Sequence, residues 1–252
     1  MTLSIRDKLH MVHRCWRLRF KSEAPSIKYV REGRFAGTTV LDIGANKGVF
    51  SIYMSRAAGP NGRLIAFEAQ PELGQHLSAV KESFGLDNMT LVNQGLSSQP
   101  GTLTMHRPEA GSGMASFEFE DGDNLESIEI PVIRLDDYIK SNDVATVSFI
   151  KCDVEGHELP VFQGGEKLLR RDMPALLFEC HDAEAEDGEL FDYLTGLGYD
   201  GWFFHVTPED HSSLFNKARG KFVHFSEFAN LSHVKPGIHH RNYVFVRKGT
   251  AP

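Results

Sequence analysis

Three groups of acidic residues stand where chemistry would be placed. Asp42 interrupts the apolar run Thr39-Val40-Leu41-Asp42-Ile43, and the turn Gly44-Ala45-Asn46-Lys47-Gly48 follows directly. Glu68 closes a second apolar run, Arg63-Leu64-Ile65-Ala66-Phe67, 20 residues beyond Gly48. The run Ile150-Lys151-Cys152-Asp153-Val154-Glu155-Gly156-His157-Glu158 holds three acids and a histidine within six residues. A strand, a tight glycine turn and a helix in that order build a ligand pocket in α/β folds. Gly44 lets the backbone turn sharply and leaves room for a ligand. A helix starting near Lys47 directs its unpaired N–H groups at that ligand. Glu68 is placed to accept hydrogen bonds from both hydroxyls of a bound ribose. Asp42 stands where a dinucleotide fingerprint has glycine, and Asn46 stands at its second glycine position. A nicotinamide cofactor therefore fits poorly, and a cationic cofactor without phosphate fits better.

For the chemical step, His157 is the first candidate for a general base, because histidine is tunable near neutral pH. Asp153 and Glu155 are the further catalytic candidates, and Glu155 and Glu158 could orient the imidazole or serve in its place. The competing interpretation of His157 is a cap on the following helix. Lys151 reads as a structural partner of nearby acids. Asp153, Glu179 and His181 would come close at the ends of adjacent strands and could hold a divalent cation. Acids hydrogen-bonded to substrate hydroxyls account for the same residues, so a metal is not expected.

The elements that must position these groups alternate between strand-like and helix-like stretches from Thr39 onward. Strands are predicted at about 39–43, 63–67, 90–93, 146–150, 174–180, 200–206 and 242–246, and helices at about 47–57, 71–84, 158–170 and 187–196. That alternation predicts a mostly parallel sheet covered by helices on both faces. Residues 101–133 read as an antiparallel excursion made of Thr102–His106, Ala115–Phe119 and Ser127–Ile133. Residues 207–237 read as a long irregular stretch. The histidines His205, His211, His224, His233, His239 and His240 lack metal-ligand spacing. Residues 3–20 predict a basic amphipathic helix with Ile5, Leu9, Val12, Trp16 and Phe20 on one face. That stripe is expected to dock on the body or on another subunit; the sharper alternatives are an anionic membrane surface or a lid over the site. Pro25 and Gly33 break the chain before the first strand.

Composition narrows the class. A chain of 252 residues with 41% hydrophobic content can bury a sizeable core. No apolar run approaches the roughly 18–20 residues of a membrane span, and no apolar secretion signal is visible. Three cysteines without metal-type spacing suggest free thiols in a cytoplasmic, reducing compartment. A net charge of −7 argues against a general nucleic-acid binder. The charge is uneven, since residues 1–34 carry nine Lys/Arg and three Asp/Glu, or +6, leaving −13 on the remainder. The expected organisation is a basic helical arm, residues 1–37, and one cofactor-binding domain, residues 38–252.

Taken together the motifs resemble the FkbM-type family of S-adenosylmethionine-dependent O-methyltransferases. The similarity rests on Asp42-Ile43-Gly44-Ala45-Asn46 with Gly48, Phe67-Glu68-Ala69 with Pro71, Gly95-Leu96-Ser97 and Leu135-Asp136-Asp137-Tyr138. Above all it rests on the 150–158 run, and it continues through Leu177-Phe178-Glu179 to Asn242-Tyr243-Val244-Phe245. It spans roughly residues 38–247, leaving outside the arm and much of 207–237. The resemblance implies a Rossmann-like class I methyltransferase fold, a seven-stranded sheet of order 3-2-1-4-5-7-6, and methyl transfer to a hydroxyl of a small molecule, a sugar or natural-product scaffold. It implies that Asp42, Gly44, Asn46 and Gly48 surround the methionine part of S-adenosylmethionine. Glu68 would hold the ribose, Gln94, Gly95 and Leu96 would line the adenine, Asp153 would close the pocket beside the reacting methyl, and Ala45 and Ala69 would belong to the same cofactor-binding set. A nicotinamide-dependent oxidoreductase of similar topology and a non-catalytic S-adenosylmethionine-binding module are the rival functions. Assembly as a homo-oligomer stays open.

Overall fold

The computed structural model describes residues 2–118, 125–180, 188–205, 221–227 and 242–252. Its centre is β1 (Thr39–Ile43), buried at every position between β2 (Arg63–Phe67) and β7 (Val147–Cys152), both parallel to it. A strand covered on both faces must be apolar throughout, which explains the composition of Val40, Leu41 and Ile43. The main sheet is completed by β3 (Met89–Val92), β8 (Ala175–Glu179), β9 (Tyr199–His205), β10 (Lys221–His224) and β11 (Asn242–Arg247), in the order β10-β9-β11-β8-β7-β1-β2-β3. Read from β3, the first seven strands follow the expected 3-2-1-4-5-7-6 order. The eighth, β10, pairs antiparallel with β9 and adds an edge strand inside the stretch predicted to be irregular.

Side-chain alternation divides the core in two. Leu41, Ile43, Ile65, Phe67, Ile150 and Phe178 face one layer, and Val40, Leu64, Ala66, Phe149 and Leu177 face the other. The second layer holds α1 (Ile5–Arg17), α2 (Ala24–Glu32), α3 (Val49–Ala58) and α4 (Pro71–Phe84). The first holds α5 (Leu135–Ser141), α6 (Glu158–Gly164), α7 (Glu166–Asp172) and α8 (Glu189–Gly196). The single helix expected over 158–170 is thus two short ones. Asp136, in the Leu-Asp-Asp-Tyr motif, accepts hydrogen bonds from the N–H groups of Lys167 and Leu168 (3.1 and 3.0 Å) and so caps α7.

The arm departs from expectation in two ways. Pro25 opens α2 instead of breaking the chain, since a first-turn proline lacks only an N–H that would be unpaired anyway. Ile27 and Val30 of that helix are fully buried. Helix α1 is docked, but by its other face: Met11 is buried, and Leu3, Cys15 and Leu18 pack on the same core. Tyr53 donates to the Cys15 carbonyl (3.2 Å), and the Leu3 N–H donates to Ser83 (2.8 Å). A five-residue π-helical turn, Leu18–Ser22, links α1 to α2.

The excursion forms a small second sheet, in which β5 (Gly101–Arg107) and β6 (Glu126–Ile133) are antiparallel. The short strand β4 (Gly95–Leu96) joins β6 in parallel. Residues Ala115 to Phe117 form no strand; a lone bridge joins Ser116 to His106. Among the described residues no helix is long and apolar enough to cross a membrane.

Candidate functional site

A cleft of about 640 Å³, including its open mouth, lies at the C-terminal ends of β1, β2 and β7. This is where open α/β sheets leave a crevice. Its polar side is formed by Asn46, Glu68, Gln70, Gln94, Asp153 and Glu155, and its apolar side includes Ile43, Phe67, Leu96 and Phe117. The turn after β1 is tight. Gly44 has φ +73°, and a Cβ there would stand 1.9 Å from the Asp153 carbonyl oxygen. Only glycine fits the seam where the Asp153 N–H donates to the Ile43 carbonyl (3.1 Å).

Glu68 is buried, and it accepts hydrogen bonds from the N–H groups of Asn46 (2.7 Å) and Gln70 (2.9 Å). Burial raises its pKa, opposed by those two donors. Its carboxylate thus ties the β1 turn to the end of β2, and each oxygen keeps further acceptor capacity. Asn46 Oδ1 is buried and unpartnered among the described residues. Such a group signals a ligand contact or a cost.

Of the sequence-derived cofactor residues, Gly44, Asn46, Glu68, Ala69, Gln94, Gly95, Leu96 and Asp153 line the cleft, as does the catalytic candidate Glu155. Asp42, Ala45 and Gly48 do not. Asp42 is fully buried and accepts from Ser51 of α3 (2.5 Å), with Lys151 Nζ 3.8 Å away. Strand alternation is the reason: Asp42 shares the face of Val40, which points to α3 instead of the strand end. Burial raises the Asp42 pKa, against the pull of Lys151 and Ser51. Gly48 serves the helix start, at φ +83° ahead of α3.

His157 also lies off the cleft. It is buried, with Nδ1 against Glu118 Oε1 (2.5 Å) and Nε2 against Ser97 Oγ (3.0 Å). A carboxylate only accepts, so Nδ1 carries the proton and Nε2 accepts from Ser97 in the neutral ring. Phe117 packs on the imidazole at 5.1 Å. The side chain therefore clamps the segment after β7 to the end of β4. It makes no side-chain cap on α6. Glu158 is a second brace, accepting from the N–H groups of Val154 (2.8 Å) and Gly156 (3.0 Å). His157→Ala is accordingly expected to cost roughly 1–3 kcal/mol of stability by stranding Ser97, with cofactor affinity changed less than about threefold. Thermal melts beside a calorimetric titration check this.

Sequence reasoning missed three features. Gln70 accepts from Gly111 N–H (3.0 Å) and donates to the Ser112 carbonyl (2.8 Å), fastening residues 111–113 over the cleft. Arg107, itself buried, bonds Gln70 (3.2 Å) and forms ion pairs with Glu72 and Glu126 (both 3.0 Å). The third is Glu23. A narrow recess, with room for about one water and about 230 Å³ only when its open mouth is included, shares Asp153 with the cleft and is otherwise lined by residues that include Glu23, Lys151, Glu179 and Asn242. Lys151 Nζ bonds Asp153 (3.0 Å) and the Gly44 carbonyl (3.0 Å). Burial opposes its charge, but Asp153 and Asp42 more than offset that, and its pKa is raised. Asn242 donates to Glu23 (3.2 Å). Burial and the nearby Asp153 carboxylate push Glu23 up to about 7. An acid following a π-turn in a basic arm carries no local signal of this position. His181, proposed with Asp153 and Glu179 for a cation, lies outside the described residues. Among the described residues no His, Cys, Asp and Glu group has metal-holding geometry.

Comparison with known proteins bears on the family and the fold. Residues 42–200 match the profile of the methyltransferase FkbM domain. The hexuronic acid methyltransferase AglP of Haloferax volcanii is 27% identical over 161 residues, 63% of each chain. The 31-O-demethyl-FK506 methyltransferase FkbM of Streptomyces tacrolimicus is 26% identical over 195 residues, 65% of this chain and 73% of its own. Among solved structures, methyltransferase FkbM from Methylobacillus flagellatus aligns with a TM-score of 0.53 at 17% identity, covering 85% of this chain and 45% of that one. The chain thus spans less than two thirds of the Haloferax relative and under half of the solved one. With the profile matched across most of the sheet, the chain belongs to the FkbM methyltransferase family.

Proposed function

We propose that this chain is an S-adenosylmethionine-dependent O-methyltransferase acting on a hydroxyl of a small molecule, a sugar or natural-product scaffold. The observation that carries the proposal is the cleft itself. A glycine turn abuts Asp153, a strand-end carboxylate stands at Glu68, and Asn46 Oδ1 lies buried without a partner among the described residues. The residues suit the cofactor's chemistry. Glu68 would take the ribose hydroxyls, Gln94, Gly95 and Leu96 the adenine, and Asn46 with Gly44 the amino-acid end. Asp42 would act from beneath, by holding Lys151 and Ser51. The named relatives support the acceptor class, since one is named for a hexuronic acid and the other for 31-O-demethyl-FK506. The thiols of Cys15 and Cys152, neither in a disulfide, suit a reducing cytosol.

When bound, S-adenosylmethionine would supply an activated methyl on a sulfonium that leaves as a neutral thioether. What remains for the protein is to position the acceptor and take one proton. Asp153 is held by Lys151 at the boundary between cleft and recess and would orient the acceptor hydroxyl, with Glu155 on the cleft wall beside it. Glu23 lines the recess beside Asp153, not the cleft itself, and with a pKa raised to about 7 it would take the hydroxyl proton from an acceptor reaching that boundary. This assignment moves the base from His157, whose two ring nitrogens are committed, to a carboxylate of the arm.

Titration calorimetry with S-adenosylhomocysteine is the first test, with a Kd in the micromolar range expected, about −8 kcal/mol. Glu68→Gln should weaken binding roughly tenfold or more through loss of a charged hydrogen bond. Unimpaired binding by that variant removes Glu68 from the ribose role. A panel of uronic acids, neutral sugars and macrolide alcohols, read by S-adenosylhomocysteine release, then tests the acceptor class.

A further inference from the structure

Helix α1 has two apolar faces, and only one is used. Met11, Cys15 and Leu18 face the body. Ile5, Leu9, Val12 and Trp16 recur at i, i+4, i+7 and i+11 and stand 81%, 64%, 54% and 47% exposed. They account for four of the five large hydrophobic side chains left exposed among the described residues. At about 100° per residue the four fall within roughly 60° of arc. On the same wheel Lys8 lies on one flank and Arg6 and Arg17 on the other, about 70–110° from the stripe's centre. Past the π-turn boundary, Arg19 lies over Phe20 (4.9 Å) and Lys21 over Trp16 (5.7 Å), which extends the basic border.

We infer that this face seats α1 flat on an anionic lipid surface. A narrow apolar ridge with aromatic and aliphatic side chains, bordered by cations on both sides, suits the interface between headgroups and acyl chains. Charge decides between the occupants. A two-fold dimer through the same stripe would set Arg6, Lys8 and Arg17 against their own copies, which is repulsive. Anionic headgroups supply the opposite sign on both flanks at once. The acidic remainder of the chain does not prevent this, because its field is screened beyond about 8 Å at physiological salt. The helix is already formed and fastened through Tyr53 and Ser83, so little ordering remains to be done on binding.

The test is flotation of the full chain with vesicles of phosphatidylcholine alone or mixed with phosphatidylglycerol, at low and high salt. With three flanking cations, binding to the anionic vesicles should be roughly a hundredfold stronger than to neutral ones and should weaken as salt rises. Trp16 fluorescence should shift to the blue on binding. The double variant Leu9→Glu and Trp16→Glu should lose at least about tenfold in vesicle affinity, with the fold kept and a melting temperature lowered by no more than a few degrees, since Trp16 gives up only its contacts with His13, Phe20 and Lys21. Absence of binding to the anionic vesicles overturns the inference, and so does binding that the double variant retains. A dimer in sedimentation that the double variant dissociates would assign the face to a second copy and equally overturn it.

Discussion

Glu23→Gln is expected to make the protein more stable above neutral pH and much slower. The carboxyl is flanked by Asp153, Glu179, Lys151, Ser26 and Asn242, and its pKa in the fold is about 7 against 4.5 for a free glutamate. Between those values the folded chain holds a proton that the unfolded chain has released. Stability therefore falls as pH rises through about 4.5 to 7, by at most roughly 3 kcal/mol, and stays low above that window. Glutamine keeps the neutral form at every pH. Its melting temperature should exceed that of the parent by several degrees at about pH 8 and match it near pH 4.5, at roughly 2–4 °C per kcal/mol for this size. If the same carboxylate takes the acceptor proton, kcat should drop by roughly 10²–10⁴-fold. The low-pH limb of the rate profile near 7 should vanish as well, with S-adenosylhomocysteine affinity unchanged. Stabilisation with full activity would confine Glu23 to an electrostatic cost without a catalytic return. Lower stability at about pH 8 would contradict the assignment of the raised pKa.

Gly44→Ala is expected to be the most damaging single-methyl change in the cleft. Two effects operate at once. A positive φ of +73° costs about 1–2 kcal/mol for any residue with a Cβ, and here the Cβ would also stand 1.9 Å from the Asp153 carbonyl oxygen. Backbone cannot swing aside as a side chain can, so the β1 turn and the segment after β7 must separate. We expect a loss of roughly 2–5 kcal/mol in stability. S-adenosylhomocysteine affinity should fall by more than about tenfold, since Asp153 moves with its backbone. Gly85→Ala is the matched control. Its φ of +61° and ψ of +47° lie in the left-handed helical region, yet nothing lies within 4 Å of a Cβ there, so it should show the dihedral cost alone, about 1–2 kcal/mol, with normal binding. Equal effects in the two variants would show that strain dominates and that the close approach at Asp153 is unimportant.

The strands, their order in the chain and the turns at Gly44 and Asp153 could be read from the sequence because their signals are local. An apolar run of about five residues bounded by glycine, proline or an acid encodes a buried parallel strand over a short window. The same locality located Glu68, Gln94, Gly95, Leu96 and Asp153 at strand ends, and the structure brings these to one cleft. Locality also set the limits. Asp42 is one residue from Ile43, which lines the cleft, yet strand alternation turns it toward Ser51 and Lys151. His157 follows the motif's acids, but Ser97, 60 positions away, and Glu118 claim its nitrogens. The stripe Ile5–Trp16 has a clear helical period, and period alone does not say which face meets the body; Met11 and Cys15 settled that by packing on the α3 layer. Glu23 meets Asn242 across 219 positions. Pairings of that kind follow from which buried polar groups find partners once the layers close. That competition among burial, charge and hydrogen bonding exists only in the folded chain.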